Sequence, residues 1–375
     1  MHTPSMLEEK LRELALFEPT TMPVLSVYLN TQADQHGRDN FEVFLRKELK
    51  NRGDSYPRRS PERQSFERDA EKVMSWLTSE LRPSSNGAVI FACAGANDFF
   101  EALQFEAPIH KNRLYVYHQP HLYGLAKLHD QYPPYAAVIA DTNSARIFVF
   151  GLGRVLDAEM VQNDKVRSRT QIHGWWLRRY QLRVENYHLK HSKDVLQQLD
   201  KIVREEGIEH IILAGDEVIL PVLRQQLSPF LAAKVVDELK LDITASERII
   251  FQATLESMQE ENARSDAEHV SAMIDEYRAG GLAAVGTHDI LLALANGQVD
   301  TLFVSTELEQ VHPGKEDLHR ALAPAVAELP VGAGVRITDA LVTQAYQTGA
   351  HVRFIEDPAL LVNVGGVGAT LRFSL

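Results

Sequence analysis

A single cysteine, Cys93, in a chain of 375 residues excludes an intramolecular disulfide framework and any multi-cysteine zinc or iron–sulfur centre. It lies in the apolar run VIFACA (89–94), where a buried, inert thiol is expected rather than a nucleophile. No apolar stretch approaches the ~20 residues that a membrane-spanning helix needs. The N-terminal MHTPSMLEEKLRELALF sets charges among its apolar positions and does not read as a secretory signal. Positive charge is in deficit: 39 Lys and Arg against 51 Asp and Glu give a net charge of -12. A pI near 5.7 argues against indiscriminate coating of nucleic acid, although a local basic surface stays open. Biased tracts and internal repeats are absent as well. These absences predict a cytoplasmic protein with no membrane contact.

What is present is ordinary globular composition, 45% hydrophobic and 24% charged, in a chain long enough for two or three domains. An amphipathic helix is expected at 7–17 and a strand in PVLSVYL (23–29). Helices follow at 41–50 and 65–81, with NRGDSYPRRSPERQ between them as an exposed loop. GAVIFACAG is a buried strand, and the apolar segments 104–105 and 113–117 complete an α/β unit. The double proline Pro133-Pro134 is the first strong break. Beyond it lie strands at 135–140, 145–150 and 155–161, the first two joined as a hairpin through Asp141-Thr142-Asn143-Ser144. A long helix is expected from Trp175 to Glu206, stopped by Gly207. Strand 208–214, helix 217–226, a mixed segment at 232–239 and a charged, domain-bridging helix at 246–276 come next. The last segment alternates helix and strand: 287–296, 302–305, 316–328, 340–348 and 352–355. The simplest parse is three α/β domains at 1–133, 134–268 and 269–375.

Two catalytic chemistries are open on the residues alone. Asp141, Asp216, Asp237 and Asp242 are carboxylates of the kind that two-metal nucleases converge on a pair of ions. Asp141 also fits an ordinary hairpin turn, and Asp216 an ordinary helix cap, which is the preferred reading. The fifteen histidines contain no His-Glu-x-x-His, and His118/His121 and His188/His191 lack an evident third ligand. The glycines of GGVG (365–368) lack the spacing of a nucleotide-binding loop and suit backbone turns. No metal and no cofactor are expected.

Five segments carry a family resemblance. GTHDILLALANGQVDTLFVS (286–305) and TGAHVRFIEDPALLVNVGGVGATLRF (348–373) resemble the C-terminal domain of archaeal and eukaryotic release factors and Pelota. AAVIADTNSARIFVF (136–150) and IILAGDEVILPVL (211–223) are similar to that family's middle domain, and NGAVIFACAG (86–95) to the close of its N-terminal domain. The fit extends to bacterial archaeo-eukaryotic release factor proteins and Balon-like hibernation factors. The resemblance implies an N-terminal α/β domain, a middle domain of ribonuclease H topology, and a C-terminal α/β/α sandwich similar to kink-turn-binding ribosomal proteins. It also implies a tRNA-shaped protein that enters the ribosomal A site.

The departures from the family are as informative. Where the family carries Gly-Gly-Gln, this chain has Ile172-His173-Gly174. Gln171 is a weak substitute for the missing glutamine, so a catalytic residue is not assigned and an inert tip is expected. The basic character persists: from Lys165 to Lys193 the net charge is +7, in a chain of -12. Arg167, Arg169, His173, Gly174, Trp175, Trp176, Arg178, Arg179 and Arg183 are the candidate RNA-binding residues there. The arginine fork matches phosphate geometry, and an exposed indole suits an unstacked base. The alternative is a solvated basic face with the indoles in the core, yet adjacent tryptophans on a helix cannot both face inward. Residues 51–66 replace the family's codon-reading loop and keep its basic character through Arg52, Arg58, Arg59 and Arg63; Arg58 and Arg59 are candidate RNA contacts.

The expectation is a monomeric ribosome-associated factor of the A site and peptidyl transferase centre, acting without chemistry in hibernation or in recognition of stalled ribosomes. Elongation factor Tu or the ribosomal stalk is an expected companion. Peptidyl-tRNA hydrolysis by a non-Gly-Gly-Gln loop is the first alternative, and a metal-dependent nuclease the second.

Overall fold

The computed structural model describes residues 6–32, 41–152, 154–162, 175–307 and 333–373; for 154–162, 175–189 and 333–336 it describes the backbone alone. Three sheets form, one within each of 1–133, 134–268 and 269–375. By contacts the chain divides into two compact units: residues 133–262, and residues 5–132 together with 263–375. No helix among the described residues is long and apolar enough to cross a membrane.

The unit formed by 5–132 and 263–375 opens with helix α1 (Met6–Ala15), whose Leu7, Leu11 and Leu14 recur at helical spacing and are buried. Strands β1 (Val24–Asn30), β2 (Gly87–Cys93), β3 (Phe99–Phe105) and β4 (Arg113–Tyr117) form an antiparallel sheet in the order β3-β2-β1-β4. Alternation along β1 turns Leu25, Val27 and Leu29 toward helices α2 (Phe41–Asp54) and α3 (Pro61–Ser79). There they meet Phe41, Leu45, Leu49, Phe66, Val73 and Leu77.

The loop expected over 51–64 is shorter than the sequence suggested. α2 runs on to Asp54, and α3 starts at Pro61, whose fixed φ suits a first helical turn; the Ser60 side chain caps it by accepting from Arg63 N. Helix α4 (Tyr123–Gln131) closes this part and was not anticipated.

The 263–375 part of the same unit holds β10 (Ala283–Val285), β11 (Val299–Ser305), β12 (His351–Ile355) and β13 (Val367–Leu371), in the order β10-β13-β11-β12 with β11 and β12 parallel. Helices α9 (Thr287–Ala295) and α10 (Ala333–Thr348) belong to it. α10 starts before the expected 340, and the expected helix at 316–328 lies outside the described residues. Gly365 and Gly366 both adopt φ of 79°, the left-handed turn read from GGVG.

The 133–262 unit is built on β5 (Tyr135–Ala140), β6 (Ser144–Gly151), β7 (Arg154–Gln162), β8 (His210–Gly215) and β9 (Val235–Lys240). The sheet order is β7-β6-β5-β8-β9; β5, β6 and β7 are antiparallel, while β8 joins β5 and β9 in parallel. That is the ribonuclease H arrangement. YAAVIA reads as an unbroken apolar run because both of its faces are covered. Ala136, Val138 and Ala140 meet helices α5 (Trp175–Glu205) and α6 (Ile219–Gln226), while Tyr135, Ala137 and Ile139 meet Ile250 and Met258 of helix α8 (Glu247–Arg278). The mixed segment 232–239 resolves into the end of helix α7 (Pro229–Ala232) and β9.

Candidate RNA-binding surface

The described half of helix α5 turns an apolar stripe inward. In its described half, His191, Ser192, Val195, Leu196, Leu199, Ile202 and Val203 are buried at spacings of three and four. Lys190 and Lys193 are exposed, and neither makes an ion pair among the described residues. The apolar stripe therefore fixes which side of the helix faces solvent. At 3.6 residues per turn, positions 176, 183 and 190 fall on one line of the helix, and 175, 179 and 193 on its neighbour. Positions 177, 184, 188 and 195 fall on the opposite side. Trp175, Trp176, Arg178, Arg179 and Arg183 thus all stand on the first three turns of α5. Arg167, Arg169, Gln171, His173 and Gly174 lie outside the described residues.

A second basic surface sits at the elbow between α2 and α3. Arg58 and Arg59 are exposed without an ion pair among the described residues, and Arg59 is held at φ 70°. A non-glycine residue in that region costs about 1 kcal/mol or more, so packing around the elbow, rather than local preference, sets this conformation. Gly53 of α2 is buried beside Phe66 of α3. Arg63, also counted in the sequence, is spent internally: it pairs with Glu67 at 2.8 Å and Asp54 at 3.3 Å and donates to Tyr56 O. Lys47 and Lys50 of α2 are exposed and without a described ion pair, and sequence reasoning missed them. Their signal was the i, i+3 spacing opposite the buried Leu45 and Leu49.

The carboxylates considered for two-metal chemistry are occupied locally. β5 and β8 align Ala140 with Gly215, so Asp141 and Asp216 leave adjacent strand ends. Asp141 Oδ1 accepts from Asn143 N at 2.7 Å and Ser144 N at 2.6 Å, closing the hairpin turn. Asp216 Oδ1 accepts from Val218 N and Ile219 N, both at 2.9 Å, and starts α6. Asp237 takes Ser257 Oγ at 2.7 Å, and Asp242 takes Thr244 N at 2.7 Å and Thr244 Oγ1 at 2.6 Å. Among the described residues no group of three or more His, Cys, Asp or Glu is placed to hold a metal ion. The Cys93 thiol is fully buried, and burial pushes its pKa up to about 11.

Residues 120–259 match the model of bacterial archaeo-eukaryotic release factor family 10. The Pelota homologue of Pyrococcus furiosus is 25% identical over 206 residues, covering 53% of this chain and 52% of that protein; the chain spans about half the length of this relative. S. cerevisiae Dom34, described as a translation termination-like factor involved in RNA quality control pathways and interacting with Hbs1, is 9% identical with a TM-score of 0.42, covering 77% of this chain and 81% of that one. Archaeal Pelota, from a ribosome-bound assembly with ABCE1, is 13% identical with a TM-score of 0.41, covering 100% of this chain and 96% of that one.

Proposed function

From a release-factor-like and Pelota-like chain whose family match centres on residues 120–259, we propose a ribosome-associated translation factor that occupies the A site without chemistry of its own. Its task is hibernation or recognition of stalled ribosomes, in the cytoplasm and as a monomer. In this reading the segments 1–133, 134–268 and 269–375 act as three domains. The last engages elongation factor Tu or the ribosomal stalk.

The observation that carries the reading is the register of α5. Its buried stripe leaves Lys190 and Lys193 exposed, and the helical spacing of positions 175, 176, 179 and 183 relative to those lysines supports the reading. In a chain of net charge -12, such a basic stretch is a localised site for rRNA phosphates and unstacked bases. Arg167, Arg169, His173 and Gly174 extend the same contact at the tip, toward the peptidyl transferase centre, and Arg178, on the line of Leu196, joins them from the first turn of α5. Arg58 and Arg59 supply a second contact at the elbow.

Sedimentation of the protein with purified ribosomes tests this directly. Arg178→Ala/Arg179→Ala is expected to weaken binding and to flatten its dependence on log salt by roughly one unit of slope for each phosphate no longer neutralised. Absence of co-sedimentation at low salt, or an unchanged slope in the double variant, overturns the reading for that surface. Ribosomes carrying peptidyl-tRNA separate the enzymatic alternative: peptide release that disappears in Gln171→Ala replaces an inert tip by hydrolysis.

A further inference from the structure

Helix α4 does not cap itself. Leu122 stands at its N-cap and offers no side-chain acceptor. One carboxylate oxygen from the other end of the chain does the work instead: Asp339 Oδ1, on α10, accepts from Leu122 N at 2.7 Å and Tyr123 N at 3.0 Å. The far end of α4 is held in the same way. Asp130 Oδ2 accepts from Phe354 N of β12 at 2.8 Å, and Gln131 donates to Glu356. Between these ends, Tyr123 packs edge-on against Phe354 at 5.1 Å, and Gln347 of α10 donates to Ala15 O of α1 at 2.7 Å. Polar contacts at helix ends thus join residues 6–132 to the C-terminal segment, alongside the packing of Tyr123 on Phe354.

The closed seam also contains a built-in penalty. His121 is 1% exposed, and its Nδ1 stands 3.2 Å from Asp339 Oδ1 without the alignment of a hydrogen bond. Thr343 follows Asp339 by one turn of α10, is 5% exposed, and its Oγ1 makes no hydrogen bond among the described residues. A buried polar atom left unsatisfied costs about 1–3 kcal/mol, which entering water returns.

We propose that α4 is a latch: Asp339 and Asp130 grip its two ends, and it opens as one event that frees α10 and β12 from α4 while the sheets stay folded. The proposal does not depend on ribosome binding. Proton linkage supports it. Asp130 is faced by Arg353 of β12, Glu356 just beyond it, Asp266 of α8, Tyr346 of α10 and Lys127 of its own helix. Burial outweighs the pull of Phe354 N–H and Arg353, and lifts its pKa to about 7. Arg353 is itself engaged by Asp266 at 2.9 Å. The closed form thus binds the Asp130 proton more tightly than the open form, where the pKa returns toward 3.8. Closure is favoured at low pH and loses that contribution as pH rises through about 7. His129, pulled down by burial and facing Glu8 of α1, answers to the first segment rather than to the seam.

Hydrogen exchange of the full-length chain, read by mass spectrometry and corrected for intrinsic rates, tests the latch. Peptides covering 120–131 and 351–356 are expected to share one opening constant, which increases between pH 6 and pH 8. Asp339→Ala should raise it at both segments by about tenfold, Asp339→Asn should recover most of the loss, and Asp130→Asn should remove the increase with pH. Acceleration confined to 122–123, with Phe354 unchanged, makes Asp339 a local cap and ends the proposal. Should neither Asp339 variant fold, the unmodified protein decides alone: unequal constants at the two segments overturn concerted opening, and a constant indifferent to pH removes Asp130 from it.

Discussion

Asp69 sits where a carboxylate is costly and useful at once. It is 1% exposed beneath the turn that links β2 to β3, and its Oδ2 accepts from Ala94 N at 2.9 Å, beside Ser65 Oγ accepting from Gly95 N at 2.8 Å. Burial dominates its titration and raises the pKa to about 6, against the smaller opposing effects of the Ala94 N–H, Lys72 and Arg68. The folded chain therefore holds this proton more tightly than the unfolded chain does. The corresponding stability is complete below the ordinary carboxylate range and is lost as pH rises through about 6. Asparagine keeps the acceptor and cannot ionise. Asp69→Asn should match the unmodified protein near pH 4 and exceed it at pH 8 by about 1–3 kcal/mol in denaturant titrations. A variant that is less stable at pH 8 would show that the charge itself holds the turn. Asp141 and Asp216 are engaged in a similar way, each committing one oxygen to two backbone N–H groups of its own turn.

Elements were readable where a stretch carries its own signals, and unreadable where a distant residue supplies them. The hairpin of β5 and β6, the limits of α5 and α8, and the GGVG turn follow from alternation, helical spacing and glycine geometry within a few residues. α4 escaped because its cap is Asp339 and its last turn is fixed by Phe354, neither of which lies near it in sequence. The basic residues of the candidate site were all visible as composition. What sequence could not tell was which of them are spent: Arg63 is tied to Glu67 and Asp54, whereas Arg58 and Arg59 are left over. Close approach of backbones is equally silent. A methyl group on Gly215, at the end of β8, would lie 2.3 Å from the carbonyl oxygen of Ala140 on β5, an atom that the sheet does not let move. Gly215→Ala should thus cost about 1–3 kcal/mol or more, although the site is a strand end. A melting temperature unchanged from the parent would mean that the β5–β8 edge yields more easily than its pairing implies.

At the scale of the whole molecule, the two compact units share one element, α8, a continuous helix of 32 residues. Its first half packs Ile250 and Met258 into the 133–262 core, and its second half packs Val270 and Met273 against Phe303, Ile355 and Leu361. Between them Gln259, Glu260, Ala263 and Arg264 are exposed. When one unit melts, the helix can fray to that midpoint, with the cost of a few helical turns rather than of a second core. Calorimetry of the full chain should therefore give a total enthalpy larger than the van't Hoff value, resolvable into two transitions. The residue substitutions assign them. Gly215→Ala should lower one midpoint, and Asp69→Asn at pH 8 should raise the other. Each should leave its neighbour in place, because the two sites lie in different cores and share no partner. If either substitution moves both midpoints together, or if the calorimetric and van't Hoff enthalpies coincide, α8 is a rigid coupling rather than a link between two independently stable units.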